Sequence, residues 1–193
     1  MKLLMGRRHM RHAFMPGKFV FPGGRVDVSD SRVTDVLPYH PDVEAKLTQD
    51  LKNAKSAARV RALALAAIRE TYEEAGLFIG RQAHNNHLHL GTGFEAFAER
   101  GIQPDLSGLR MIARAITPPQ RPRRFDTRFL AVWADAIADR LPDGTGPSGE
   151  LEDCAWLTFE EARQKDLPMI TNKILTDLED RLAKDPELSP TTP

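Results

Sequence analysis

The chain has 193 residues, 41% hydrophobic and 28% charged, which is the make-up of one ordinary globular domain whose core needs no staples. Its 27 basic residues balance 27 acidic ones, so bulk electrostatics offer no pull toward nucleic acid or an anionic membrane. A single cysteine, Cys154, excludes an intramolecular disulfide and suits a reducing compartment.

The first strand is expected at 2–5, starting almost at the first residue and leaving room for an upstream partner strand. Too few apolar residues precede Gly6-Arg7-Arg8 for a signal peptide, and no window approaches a membrane span. A soluble, cytoplasmic protein is therefore expected. Residues 14–24 are apolar and punctuated by Gly and Pro, which reads as strand and turn. The segment from 31 to about 56 is polar and mixed, with Pro38, Pro41 and a modest helical pattern over 43–52, and looks like an insertion.

An Ala-rich run then opens a long helix over 57–75, with Gly76 as its stop. Residues 77–79 read as the next strand. A loop over 84–93 holds His84, His87 and His89, either a metal cluster or ordinary polar loop histidines. A short helix follows at 94–100. Strands are expected at 109–116 and 125–133, split by Thr117-Pro118-Pro119 and Arg121-Pro122-Arg123-Arg124. After a turn region at 143–149, a strand at 154–157 leads to a helix start at Thr158, with Glu161 three positions on as in a capping box. Cys154, two before Trp156, fits the core better than a nucleophile's role. A last helix spans 171–184, and 185–193 is a Pro- and Thr-rich flexible tail. There is no internal repeat. Interleaved strands and helices around a mixed sheet predict a single layered α/β domain over 1–184.

The chemistry concentrates at Arg69-Glu70-Thr71-Tyr72-Glu73-Glu74-Ala75-Gly76-Leu77. On a helix, Glu70, Glu73 and Glu74 stand at i, i+3 and i+4 and share one face. Three like charges so close repel each other. The face is either simply solvated or built around a hard divalent cation with oxygen ligands. Upstream, Phe21-Pro22-Gly23-Gly24 ends a strand with two glycines that permit close backbone approach. Such a loop can deliver its amides and Asp27 or Asp30 to whatever the helix carboxylates hold; alone, it also reads as a plain turn.

Taken together these residues resemble the Nudix hydrolase family, whose signature is G-x5-E-x7-R-E-U-x-E-E-x-G-U with U a bulky apolar residue. Residues 69–77 match the second half except at U, where Thr71 stands. Asp30, six after Gly24, takes the first Glu position with a shorter acid. Arg69 lies 39 positions after Asp30 where the signature has 8, so 31 extra residues (31–61) interrupt the box. The segment Leu3-Leu4-Met5-Gly6-Arg7-Arg8 with Gly17-Lys18-Phe19-Val20-Phe21-Pro22-Gly23-Gly24 is similar to the coenzyme A diphosphatase motif upstream of that box, although its middle Arg is out of register. A box split after Gly-Gly is likewise similar to the acyl-CoA diphosphatase branch.

This resemblance implies a Nudix α/β/α sandwich that hydrolyses the pyrophosphate of a nucleoside diphosphate linked to another moiety, CoA or acyl-CoA first, with ADP-ribose, NADH or another nucleotide as alternatives. A nucleotide sensor without turnover is a further alternative, though such proteins tend to lose the box carboxylates that this chain keeps. It implies Mg²⁺ or Mn²⁺ on Glu70, Glu73, Glu74 and Gly24, with Glu70 a ligand or a base. Arg69 would orient a helix carboxylate by a bidentate pair. Candidates to grip phosphate are Arg7, Arg8, Arg123, Arg124 and Arg128, each otherwise a solvated surface arginine; Phe125 or Phe129 would either stack on an adenine or belong to the core. Glu150 or Glu152 would be either the general base or a solvated loop acid. A homodimer is a family-level expectation.

Overall fold

Strand β1 (Leu3–Arg8) lies between β2 (Phe19–Val20) and β8 (Leu151–Leu157), antiparallel to both, so each of its edges meets a strand. This arrangement comes from a computed structural model that describes residues 1–12, 14–49, 51, 56–84, 88–120 and 124–190. Arg123, His87, the end of the expected 43–52 helix and positions 191–193 of the tail lie outside the described residues. Strand β1 runs three residues beyond the expected 2–5, carrying Arg7 and Arg8 onto the sheet opposite Glu152 and Leu151. Strand β8 likewise begins at Leu151, which puts Glu152 on a strand where a loop was expected.

Helix α2 (Ala57–Ala75) has the expected bounds. The Ala-rich first half carries no helix breaker, and Gly76 closes the helix at φ 69°, donating its amide to Tyr72 O. Its apolar stripe, Val60, Ala64, Leu65 and Ile68, packs into the main core with Phe78, Phe94, Phe97, Ile102 and Leu106. Phe78 belongs to β3 (Leu77–Gln82), which pairs with β4 (Ile102–Pro104) and β7 (Ile137–Arg140). Tyr72, Phe78 and Phe97 form an aromatic cluster, with Phe78 and Phe97 centroids 4.9 Å apart.

The interrupting segment is folded into the domain. Helix α1 (Pro41–Thr48) starts two residues earlier than its apolar pattern, because Pro41 takes the first helical position and the His40 ring accepts from the Asp42 amide. Val33, Val43 and Leu47 are wholly buried in the same core as α2. Leu37 makes a parallel bridge to Asp105. Among the described residues this bridge is the only parallel pairing; all pairings between strands are antiparallel. The parallel element of the expected mixed sheet is thus confined to one bridge, and the strands form three small sheets.

Strands β5 (Arg110–Ile116) and β6 (Asp126–Ala131) make the third sheet, an antiparallel hairpin. The short helix α3 (Glu95–Glu99) precedes β4. Thr158 and Glu161 form the reciprocal cap of α4 (Phe159–Arg163). Helix α5 (Met169–Lys184) buries Ile174, Leu175, Leu178 and Leu182 at helical spacing; Leu175 packs with Met5, Leu157 and Ala162. No described helix is long and apolar enough to cross a membrane.

Candidate active site

The last two turns of α2 carry Arg69, Glu70, Glu73 and Glu74 toward the loop that follows β2. Arg69 is 3% exposed and its guanidinium faces five oxygens. Nε and Nη2 donate to the two carboxylate oxygens of Asp30 at 2.9 and 3.1 Å. Nη2 also reaches Arg25 O at 2.8 Å, and Nη1 donates to Glu70 at 3.0 Å and Glu73 at 2.8 Å. The bidentate pair expected within the helix is therefore made to Asp30, across the interruption, while the helix carboxylates each receive a single bond. Asp30 is fully buried in a short 3-10 turn (Ser29–Arg32) and also accepts from the Asp27 amide, so it orients Arg69 and does not face the carboxylate ladder. Asp27 itself is exposed, its carboxylate 3.9 Å from Arg69 Nη2.

The two glycines act separately. Gly23 donates its amide to Glu74 Oε2 at 2.7 Å. Gly24 lies so close to the Glu70 carboxylate that a Cβ there would overlap it. The 23–30 loop and the end of α2 thus meet through Arg69–Asp30, Gly23–Glu74 and Gly24 against Glu70.

Burial governs the titration of this group. Glu74, 2% exposed, is pushed from the ordinary 4.5 up to about 7: burial dominates, the Gly23 amide opposes it, and Glu70 and Glu150 add repulsion. Glu70 is raised for the same leading reason, against the pull of Arg69. For Arg69 burial works against the charge, but Asp30, Glu70 and Glu73 more than offset it, so the guanidinium is held protonated. Glu70, Glu73 and Glu74 lie in the last turns of α2, at the negative end of the helix dipole, an excess of negative charge that suits a cation. Arg69 takes one oxygen each from Glu70 and Glu73, and Gly23 one from Glu74, so each carboxylate has a second oxygen to offer. That donor set fits Mg²⁺ or Mn²⁺, although no three acidic, His or Cys side chains converge into a ready cage among the described residues.

Of the other expected residues, Glu150 influences Glu70 and Glu74 through charge repulsion, and Arg8 and His12 each stand 3.9 Å from its carboxylate. The Arg8 charge also opposes, weakly, the upward push on Glu74. Arg7 is engaged by Glu152 at 2.9 Å and Asp153 at 2.8 Å, and His9 approaches Glu152 at 3.3 Å. These pairings follow from the β1–β8 register, a contact between chain ends that local sequence does not signal. Arg124 bonds within its hairpin, to Thr117 O, and exposed Phe125 rests on Phe14 with centroids 5.3 Å apart. Phe129 is half-buried and packs edge-on against Phe21. Arg128 is buried beside Asp126, its Nε and Nη2 without hydrogen-bond partners among the described residues. His84 and His89 do not join a described metal cluster; the His89 amide bonds Asp35.

The fold is the α/β fold of the Nudix hydrolases. No protein-family model matches the chain. Among solved structures it is similar to a Nudix hydrolase from Alicyclobacillus acidocaldarius, 26% identical over 91% of this chain and 82% of that one, with a TM-score of 0.63.

Proposed function

We propose that this protein is a metal-dependent pyrophosphohydrolase that cleaves a nucleoside diphosphate derivative, with CoA or acyl-CoA as the preferred substrate class. The observation that carries the reading is Arg69: one buried guanidinium binds Asp30 from the first half of the box and steadies Glu70 and Glu73 of the second. A purely solvated acidic face has no use for such a clamp. The likeness to a Nudix hydrolase supports the same class. The CoA preference rests on the Gly17-to-Gly24 segment and on the split box.

In this reading Glu70, Glu73 and Glu74, with the carbonyl of Gly24, hold Mg²⁺ or Mn²⁺. When bound, the ion neutralises charge on the pyrophosphate and makes water a better nucleophile. Arg69 keeps two of the carboxylates oriented without touching substrate. Glu150, whose charge is felt by Glu70 and Glu74, accepts the proton of the attacking water. Arg8, 3.9 Å from the Glu150 carboxylate, offers a cation to the substrate's phosphates.

The test is product analysis after incubation of the purified protein with Mg²⁺ or Mn²⁺ and a panel of nucleotides. From CoA, 3′,5′-ADP plus 4′-phosphopantetheine is expected. AMP plus ribose 5-phosphate from ADP-ribose as the faster reaction would move the substrate assignment. Tight nucleotide binding with no turnover of any panel member would make the protein a sensor and overturn the reading.

A further inference from the structure

A helix ends with carbonyls that have no partner inside it. In α2 the last turn holds the carboxylates, so whatever satisfies its carbonyls also touches the site. Here the partner is the segment before β8. The Gly146 amide donates to Glu74 O at 3.1 Å and the Ser148 amide to Glu73 O at 2.8 Å. A Cβ on Gly146 would overlap the Glu73 carbonyl, so only glycine permits this approach. Ser148 then acts a second time: its hydroxyl oxygen accepts from the Glu150 amide at 3.2 Å. Gly149, at φ 63°, makes the turn between them, and Glu150 O accepts from the His9 amide at 3.0 Å. The backbone of Glu150 is therefore tied on both sides, to the carboxylate helix through Ser148 and to β1 through His9.

We infer that residues 146–150 form a docked arm that registers Glu150 against the backbone of Glu73 and Glu74, with Ser148 as its positioning residue. The inference rests on the general-base role proposed above for Glu150. A loop that merely capped α2 would need the amides of Gly146 and Ser148, but not the Ser148 hydroxyl. Among the described residues that hydroxyl bonds Glu150 alone. The arm thus ties the backbone of Glu150 to the backbone of Glu73 and Glu74.

Ser148→Ala removes the hydroxyl and keeps the amide on Glu73, while Ser148→Thr keeps both. With CoA and Mg²⁺, Ser148→Ala is expected to lower kcat about tenfold with KM within about twofold, and Ser148→Thr to restore it. Because Ser148 works through Glu150, Ser148→Ala should add no further loss in a Glu150→Gln background. In the metal-free full chain, the Glu150 amide should exchange with deuterium about tenfold faster in Ser148→Ala, while the Gly146 and Ser148 amides stay protected. A full additional loss on top of Glu150→Gln, or unchanged exchange at Glu150, overturns the inference. If the wild type hydrolyses no nucleotide, the proposed function fails, and the exchange pattern alone still decides whether the arm positions Glu150.

Discussion

Arg69 draws oxygens from Arg25, Asp30, Glu70 and Glu73 onto one guanidinium, and its removal would leave the wholly buried Asp30 carboxylate without its bidentate partner. Arg69→Met should therefore destabilise the fold by about 3–5 kcal/mol in urea titrations. Arg69→Lys should recover only part, since an ammonium cannot reproduce the fork. Counting along the signature put Asp30 at the right place, but not its partner: nothing local pairs residues 39 positions apart. Glu74 supplies a second test at this scale. Its folded value near 7 against 4.5 unfolded means the fold favours the protonated acid. The stabilisation from this group is full below about pH 4.5 and is lost as pH rises through about 7. In chelator, Glu74→Gln should melt with the wild type near pH 4.5 and above it at pH 8. A variant melting below the wild type at pH 8 would show that the carboxylate is not penalised by its burial.

At the scale of elements, α2 was readable to the residue because its evidence is local: an uninterrupted helical composition and a glycine stop. Strands β4 and β7 were not, being three and four residues long and too short to show an alternation. The segment at 31–61 does not read as core in the sequence. Its polar composition hides Val33, Val43 and Leu47, which are wholly buried against α2. Leu47→Ala should accordingly cost about 2–5 kcal/mol, the range for a buried leucine truncated to a cavity, measured by denaturant unfolding. A loss below about 0.5 kcal/mol, ordinary for a surface change, would mean that the segment is an appendage. The segment thus has a mechanical role: it supports the flank of the helix whose far end carries the carboxylates.

Across the whole molecule, the site is assembled where three distant stretches converge: the Gly23–Gly24 loop, the end of α2, and the approach to β8. The sequence carried the residue types of the first two, because both lie in a recognisable signature. Pairing of β1 with β8 brings Arg8, His9 and His12 beside Glu150 and Glu152, which only the three-dimensional register reveals. It also occupies Arg7, expected free for phosphate, with Glu152 and Asp153. With a net charge of zero, the chain's bulk electrostatics favour neither sign, so the local excess of acids at the end of α2 sets the charge of the candidate site. The most direct test of that account is steady-state hydrolysis of CoA by the wild type, Glu73→Gln and Glu74→Gln with Mg²⁺ or Mn²⁺. Turnover that requires the metal and falls by at least about a hundredfold in either variant is the predicted result. Turnover that persists in chelator, or survives both substitutions, would contradict it.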